Sequence, residues 1–284
     1  MALWVELIAG RLLRKRRLEK PDFFRRFSPR KVIDYESNKD GARTMVSETS
    51  LREKLAACTR ILAMQGLIGL FGHVSVFDPQ RRRVFMSPSQ GFDKTGVTEK
   101  DILVSRLDGS IEDGGARLPL EWPIHMALHE RRADALAVAH LHAPYATLFS
   151  MTERAFRPVT LQGSIFCGGI PTYTQPHLVR SMEQGIQIAD LICDRPAAFM
   201  RGHGIIVVAR DIEQMLFSTL ILEDEAQKQI MLSSMGDFRC ISDEDCAAFG
   251  AAAELPGRAQ RAWSYYCGCE KRLGHAGGGP VPFV

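Results

Sequence analysis

From Ser47 onward, stretches with apolar residues at helical spacing alternate with short strand-like stretches. That alternation restricts the chain to one α/β domain. "SETSLREKLAACTRILAMQGLI" has helical periodicity, with Ser47 or Thr49 as its cap. "GHVSVFD" and "RRRVFMSP" read as a hairpin, and "ILVSRLDGSIED" as two short strands about the turn "DG". "LPLEWPIHMALHERR" reads as a helix with Pro119 and Pro123 near its first turn. A buried strand, "ALAVAHLH", follows, and then a helix that begins in "HAPYATLFSM". "LVRSMEQGIQIADLIC" is a helix, "AAFMRGHGIIVVA" one strand, and "DIEQMLFSTLILEDEAQKQIMLSSMG" a long helix ended by Gly236. The hairpins of the first half predict a mixed or antiparallel sheet. The expected organisation is a basic extension over 1–45, a domain over 46–250 and a tail over 251–284 that ends loosely in "GHAGGGPVPFV".

Composition narrows the function classes. There is no run of 18 apolar residues, so no segment reads as a membrane-spanning helix. "MALWVELIAG" is short, carries Glu6 and lacks a positive n-region, which argues against a signal peptide. Residues 1–44 hold twelve Lys/Arg against six Asp/Glu, whereas the whole chain is only +3, so the basicity belongs to the extension. "RLLRKRRLEK" fits a nucleic-acid or anionic-membrane contact, but a solvated leader is the preferred reading, and no nucleic-acid partner is expected. The seven cysteines are odd in number and form no CxxC pair. They are expected to be reduced thiols of a cytoplasmic protein.

The chemistry resides in the histidines. On a strand, residues i and i+2 share a face, so His140 and His142 present two imidazoles to one side. Two neutral rings there can share a divalent metal, although an HxH by itself equally describes one packed ring and one solvated ring. His203, between glycines in "RGHGII" at the start of a strand, is the candidate third ligand. Glu121, at the start of the preceding helix, is the fourth: it can complete the metal shell or move protons. His125 and His129 are four apart on the same helical face as Glu121, but the sequence is not HExxH. A packing or orienting role suits them better.

The stretch "LPLEWPIHMALHERRADALAVAHLHAPYA" resembles the class II aldolase/adducin family. In the fuculose-phosphate aldolases of that family a Glu precedes the HxH by nineteen residues, as Glu121 precedes His140, and the third His follows the HxH by sixty-one, as His203 follows His142. The family's "GNxS" loop corresponds to "GHVS" here, and its "HHG" or "NHG" to "GHG". The resemblance covers roughly residues 47–240. It implies a three-layer α/β/α domain with a central, mostly antiparallel sheet, a divalent metal (Zn, Mn, Fe or Co) on Glu121, His140, His142 and His203, and a homotetramer with active sites near subunit interfaces.

Departures from the family pattern bear on the substrate. Its sugar-phosphate aldolases hold phosphate with the Asn of GNxS, a Thr/Ser-Gly loop and a Ser-Ser pair. Here these are His73, "SPSQG" and Pro119-Leu120. Their proton-donating tyrosine is Leu161 here. Apolar groups in place of hydroxyls remove donors that a phosphate dianion needs. "GHVS", "SPSQGFDK" and "PLEWPIH" look more like the branch that acts on aromatic or heteroaromatic carboxylates, which holds hydroxy-aromatic decarboxylases and a few non-haem iron oxygenases. The implied substrate contacts are His73, Ser75, Ser89 and Gly91, with Arg201 placed to pair with a carboxylate. The expected function is a metal-dependent carbon–carbon lyase that decarboxylates a hydroxylated aromatic or similar acid by way of a metal-stabilised enolate. The alternatives are an aldolase on a non-phosphorylated substrate, an iron oxygenase of the same fold, and a non-catalytic adducin-like module. The last has no need of four converging ligands.

Overall fold

A computed structural model describes residues 47–88, 91–115, 117–249 and 255–274. The expected basic extension, Ser89 and the loose C-terminal end lie outside the described residues. Helix α1 (Glu48–Met64) starts at Ser47, whose hydroxyl accepts the Ser50 N–H. It leads into β1 (His73–Asp78), β2 (Arg83–Met86), β3 (Leu103–Ser105) and β4 (Ile111–Asp113). Helix α2 (Trp122–Arg131) precedes β5 (Ala137–Leu141), α3 (Pro144–Phe149), β6 (Thr172–Tyr173) and α4 (Met182–Ile192). The hairpin β7 (Ala197–Met200) and β8 (Gly204–Ala209) is followed by α5 (Ile212–Met235), α6 (Asp243–Phe249) and α7 (Leu255–Gly274).

The strands form one eight-stranded sheet in the order β4-β3-β2-β1-β5-β8-β7-β6. Every neighbouring pair is antiparallel except β6 with β7. The mostly antiparallel α/β fold is the expected one. Strand alternation divides the core. Ala137, Ala139 and Leu141 pack with residues of α1, α5 and α7 on one face, whereas Val138 packs with residues of α2 and α4 on the other. His140 shares the parity of Val138 and so points to the α2 side, where Glu121 caps that helix.

Three expectations are corrected. "AAFMRGHGIIVVA" is not one strand but the hairpin β7–β8, because Gly202 adopts φ +64° and reverses the chain. The segment expected as a tail contains α7, which buries Ala259, Tyr266 and Cys269, so the packed domain continues past residue 250. Cys167 and Cys246 are joined in a disulfide, so not all seven cysteines are thiols. This removes the cysteine argument for a cytoplasmic location. No helix among the described residues is long and apolar enough to cross a membrane.

Two buried carboxylates on α5 organise the chain beside it. Glu223 accepts the N–H groups of Tyr145 and Ala146, both at 2.8 Å, and so satisfies the start of α3. Glu225 is fully buried and accepts the N–H groups of Val159 at 2.7 Å and Thr160 at 3.0 Å, together with the Thr160 hydroxyl. Glu225→Ala strands these donors. It is expected to cost about 2–5 kcal/mol, read as a lower urea midpoint at unchanged slope.

Candidate metal centre

The site is built where the ends of three elements meet. His140 is in β5 and His142 just beyond it, so strand parity turns both rings the same way. His203 sits in the turn between β7 and β8. The glycine after it is required, because a Cβ at Gly204 would lie 2.3 Å from the Leu141 carbonyl oxygen and 3.0 Å from the His142 ring. That close approach brings His203 back over the HxH, with ring centroids 5.0 Å from both His140 and His142. Glu121 enters from the N-cap of α2. Its Oε1 accepts the Val179 N–H at 2.9 Å, which aims Oε2 at the imidazoles.

The ligand atoms of Glu121, His140, His142 and His203 all lie within 4.8 Å of one another. His140 Nδ1 donates to the Ile205 carbonyl at 3.1 Å, so Nε2 of the neutral ring carries a lone pair. That lone pair faces Glu121 Oε2 at 3.0 Å. Two acceptors cannot satisfy each other and need a cation between them. His203 Nε2 is 3.3 Å from the same oxygen but not aligned for a hydrogen bond, and His142 Nε2 is also buried without a partner among the described residues. One divalent ion would satisfy all four, so the donor set fits a metal. Burial disfavours the ionised Glu121 carboxylate, whereas the Val179 N–H bonded to Oε1 favours it.

The other expected contacts divide. His73 lies opposite His140 in the β1–β5 register, with ring centroids 5.3 Å apart, and keeps 6% of its surface exposed. Ser75 is a correction: it is fully buried, and its Oγ is taken by His125 Nδ1 at 2.6 Å and His129 Nε2 at 2.7 Å. It therefore serves the histidines of α2, not a substrate. Gly91 is exposed in its loop with φ +85°. Arg201 is exposed next to the His203 turn, with its N–H bonded to the Tyr173 carbonyl at 2.9 Å. Lys94 is an additional candidate. It is buried, donates to the Pro88 carbonyl, and its charge reaches His73. Burial lowers its ammonium to about 8. A lysine within the polar loop "SPSQGFDK" was the available signal.

Burial also holds the three inner histidines neutral. It lowers His129 to about 4, against an opposing hydrogen bond to Ala135, and holds His73 and His125 well below the ordinary value. A depressed folded value means that stability is present above the unfolded value, near 6.5, and is lost as pH falls. Folding stability should therefore decline from about pH 6.5 towards about pH 4, by up to roughly 1.4 kcal/mol per pH unit for each such group. Urea midpoints across that range test this. His129→Gln should flatten the slope by about one proton's worth.

The residues matched by the family described as "Class II Aldolase and Adducin N-terminal domain" run from 53 to 230. The chain belongs to the class II aldolase and adducin family. A 3,4-dihydroxyphthalate decarboxylase of Rhodococcus jostii (strain RHA1) is 31% identical over 216 residues, covering 71% of this chain and 84% of that protein. An L-fuculose phosphate aldolase of Methanococcus maripaludis is 24% identical over 185 residues, covering 65% of this chain and 98% of that protein. Among solved structures, an aldolase II superfamily protein from Pseudomonas syringae superimposes with a TM-score of 0.73 at 21% identity, covering 82% of this chain and 96% of that one. That likeness shows the class II aldolase fold. The sequence relatives place the chain near the decarboxylases of the family.

Proposed function

We propose that this protein is a divalent-metal-dependent carboxy-lyase acting on a hydroxylated aromatic or similar carboxylic acid. The carrying observation is the convergence of Glu121, His140, His142 and His203 within 4.8 Å, beside strand β1, which begins with His73 where the family's aldolases have a phosphate-binding amide. The similarity to 3,4-dihydroxyphthalate decarboxylases supports the substrate class. The three imidazoles and Glu121 would hold the metal, which when bound supplies Lewis-acid stabilisation of negative charge on a substrate oxygen. Arg201, exposed beside the His203 turn, is the cation proposed to pair with a substrate carboxylate. Glu121 Oε2, fixed by the Val179 N–H on its other oxygen, is placed to take the proton of the substrate's hydroxyl and return it to the carbon that loses CO₂.

Aldol cleavage of a non-phosphorylated substrate is the second reading, favoured by the fuculose-phosphate aldolase relatives, since both reactions leave an electron pair on carbon. Exposed Leu161, in place of the tyrosine those enzymes use, weighs against it. Homotetramer assembly is part of the proposal. Phe71, stacked on His142, Leu148 and Met151 are exposed apolar side chains, and Phe71 and Met151 flank the site, as a nearby subunit interface requires. The deciding assay is CO₂ release from a panel of hydroxylated aromatic carboxylates with Zn²⁺, Mn²⁺, Fe²⁺ or Co²⁺. Turnover of a sugar phosphate with no release from any acid would overturn the proposal.

A further inference from the structure

We infer that a buried chain of three imidazoles and one hydroxyl fixes His73 as a hydrogen-bond acceptor at the metal centre, so that the site selects a substrate oxygen that carries a proton, such as a phenolic hydroxyl, over a phosphate. The inference rests on the proposed function only in treating the four-ligand cluster as the reacting site.

The direction of the chain follows from its far end. His129 Nδ1 lies 2.6 Å from the Ala135 carbonyl oxygen, which can only accept, so Nδ1 carries the proton. In a neutral ring Nε2 is then an acceptor, and the Ser75 hydroxyl at 2.7 Å must donate to it. Having spent its proton, Ser75 Oγ accepts from His125 Nδ1–H at 2.6 Å. His125 Nε2 is thereby left to accept from His73 Nδ1–H at 2.7 Å. Each step forces the next, and reversing the chain would need a donor where Ala135 offers a carbonyl. Neutrality of all three rings is the other requirement. Burial supplies it: the three rings are 6%, 0% and 4% exposed, and desolvation of a charged ring outweighs the more distant negative charge of Glu121.

The consequence is a bare Nε2 on His73. Nδ1 is turned to His125 on α2, and no hydrogen bond is made at Nε2 among the described residues. His73 is 6% exposed, stands across from His140 in the sheet and has its ring 5.3 Å from that ligand's ring. A phenol brings the O–H that this lone pair needs, being protonated at neutral pH. A phosphate dianion brings only acceptors, so its oxygen would meet the lone pair without a proton between them. An asparagine here could turn its NH₂ towards a phosphate; a δ-protonated histidine cannot. Losing one charge-assisted donor corresponds to about tenfold to a hundredfold in affinity.

Two measurements on the zinc-loaded full-length protein test this. Neutron diffraction from deuterated crystals should show deuterium on Nδ1 and none on Nε2 in His73, His125 and His129. Deuterium on His73 Nε2 would overturn the inference even if the enzyme decarboxylates an acid from the panel. Deuterium on Nδ1 supports it even if no acid in the panel is turned over, so the two readings fail separately. Second, calorimetric titration should show that wild type binds 3,4-dihydroxybenzoate and takes glycerol phosphate weakly. His73→Asn should tighten glycerol phosphate by about tenfold or more and weaken 3,4-dihydroxybenzoate. His73→Phe, which has neither donor nor acceptor, should weaken 3,4-dihydroxybenzoate without that gain. Unchanged affinities for both probes in His73→Asn, with its fold confirmed by circular dichroism, would overturn the selectivity.

Discussion

His142→Ala is expected to lose bound metal and to lower turnover by on the order of a thousandfold or more, the equivalent of several kcal/mol of charge stabilisation. Among the described residues the imidazole makes no hydrogen bond through Nε2, and its ring contacts are with Phe71, His140 and His203. Its removal therefore takes away a ligand without breaking a hydrogen bond of the fold. It also deletes a buried acceptor that has no partner in the metal-free chain, so the thermal midpoint of the metal-free protein should hold steady or rise. The wild type should gain stability with added metal by mass action, and the variant should gain much less. Metal content per chain by emission spectroscopy, alongside CO₂ release, checks both statements. A His142→Ala protein with full metal content and full turnover would exclude His142 from the centre. The same reasoning applies to His203, with one difference. Its backbone N–H holds the β7–β8 turn through the Met200 carbonyl at 3.0 Å, a bond that alanine retains.

The parts of this site that were legible in the sequence are those governed by a fixed period. Strand parity alone puts His140 and His142 on one face, and the prolines of "PLEWP" mark the helix start where Glu121 sits. His203 was legible as a residue but not in its setting. An apolar run with a Gly-His-Gly inside reads as one strand, and only the positive φ of Gly202 turns it into a hairpin. Ser75 was misassigned because its partners come from a different element. Residues His73, Ser75 and Phe77 of β1 and the i,i+4 pair His125 and His129 of α2 are each regular, but the crossing that joins them is tertiary. The Cys167–Cys246 pair is separated by 79 residues, and no local pattern encodes it. Helix α7 did carry a signal in the helical spacing of Ala259, Trp263 and Tyr266, obscured by the Gly- and Pro-containing stretches around it.

Glu121→Gln should keep the fold and much of the metal affinity yet lose about a hundredfold to ten-thousandfold in turnover, the range typical of a missing general acid or base. Fold retention follows from the hydrogen bonds. The Gln carbonyl can take the Val179 N–H that Glu121 Oε1 now accepts at 2.9 Å, and its NH₂ can donate to the His140 Nε2 lone pair that now faces Oε2 at 3.0 Å. No buried donor or acceptor is stranded by the exchange, so stability should change by less than about 1 kcal/mol. Metal affinity should fall only modestly, because three imidazoles remain. The amide has no proton to exchange at a carboxyl oxygen, so it cannot protonate the carbon that CO₂ leaves. Glu121→Ala would leave the Val179 N–H buried and unpaired and so mixes a structural defect with the chemical one, which makes Gln the informative substitution. Three readouts separate the roles: metal content, thermal midpoint and CO₂ release. A variant with normal metal content, normal stability and full turnover would leave the metal centre in place and remove Glu121 as the proton carrier. A variant that loses its metal along with its turnover would instead make the carboxylate an indispensable ligand, whose charge three neutral imidazoles do not replace.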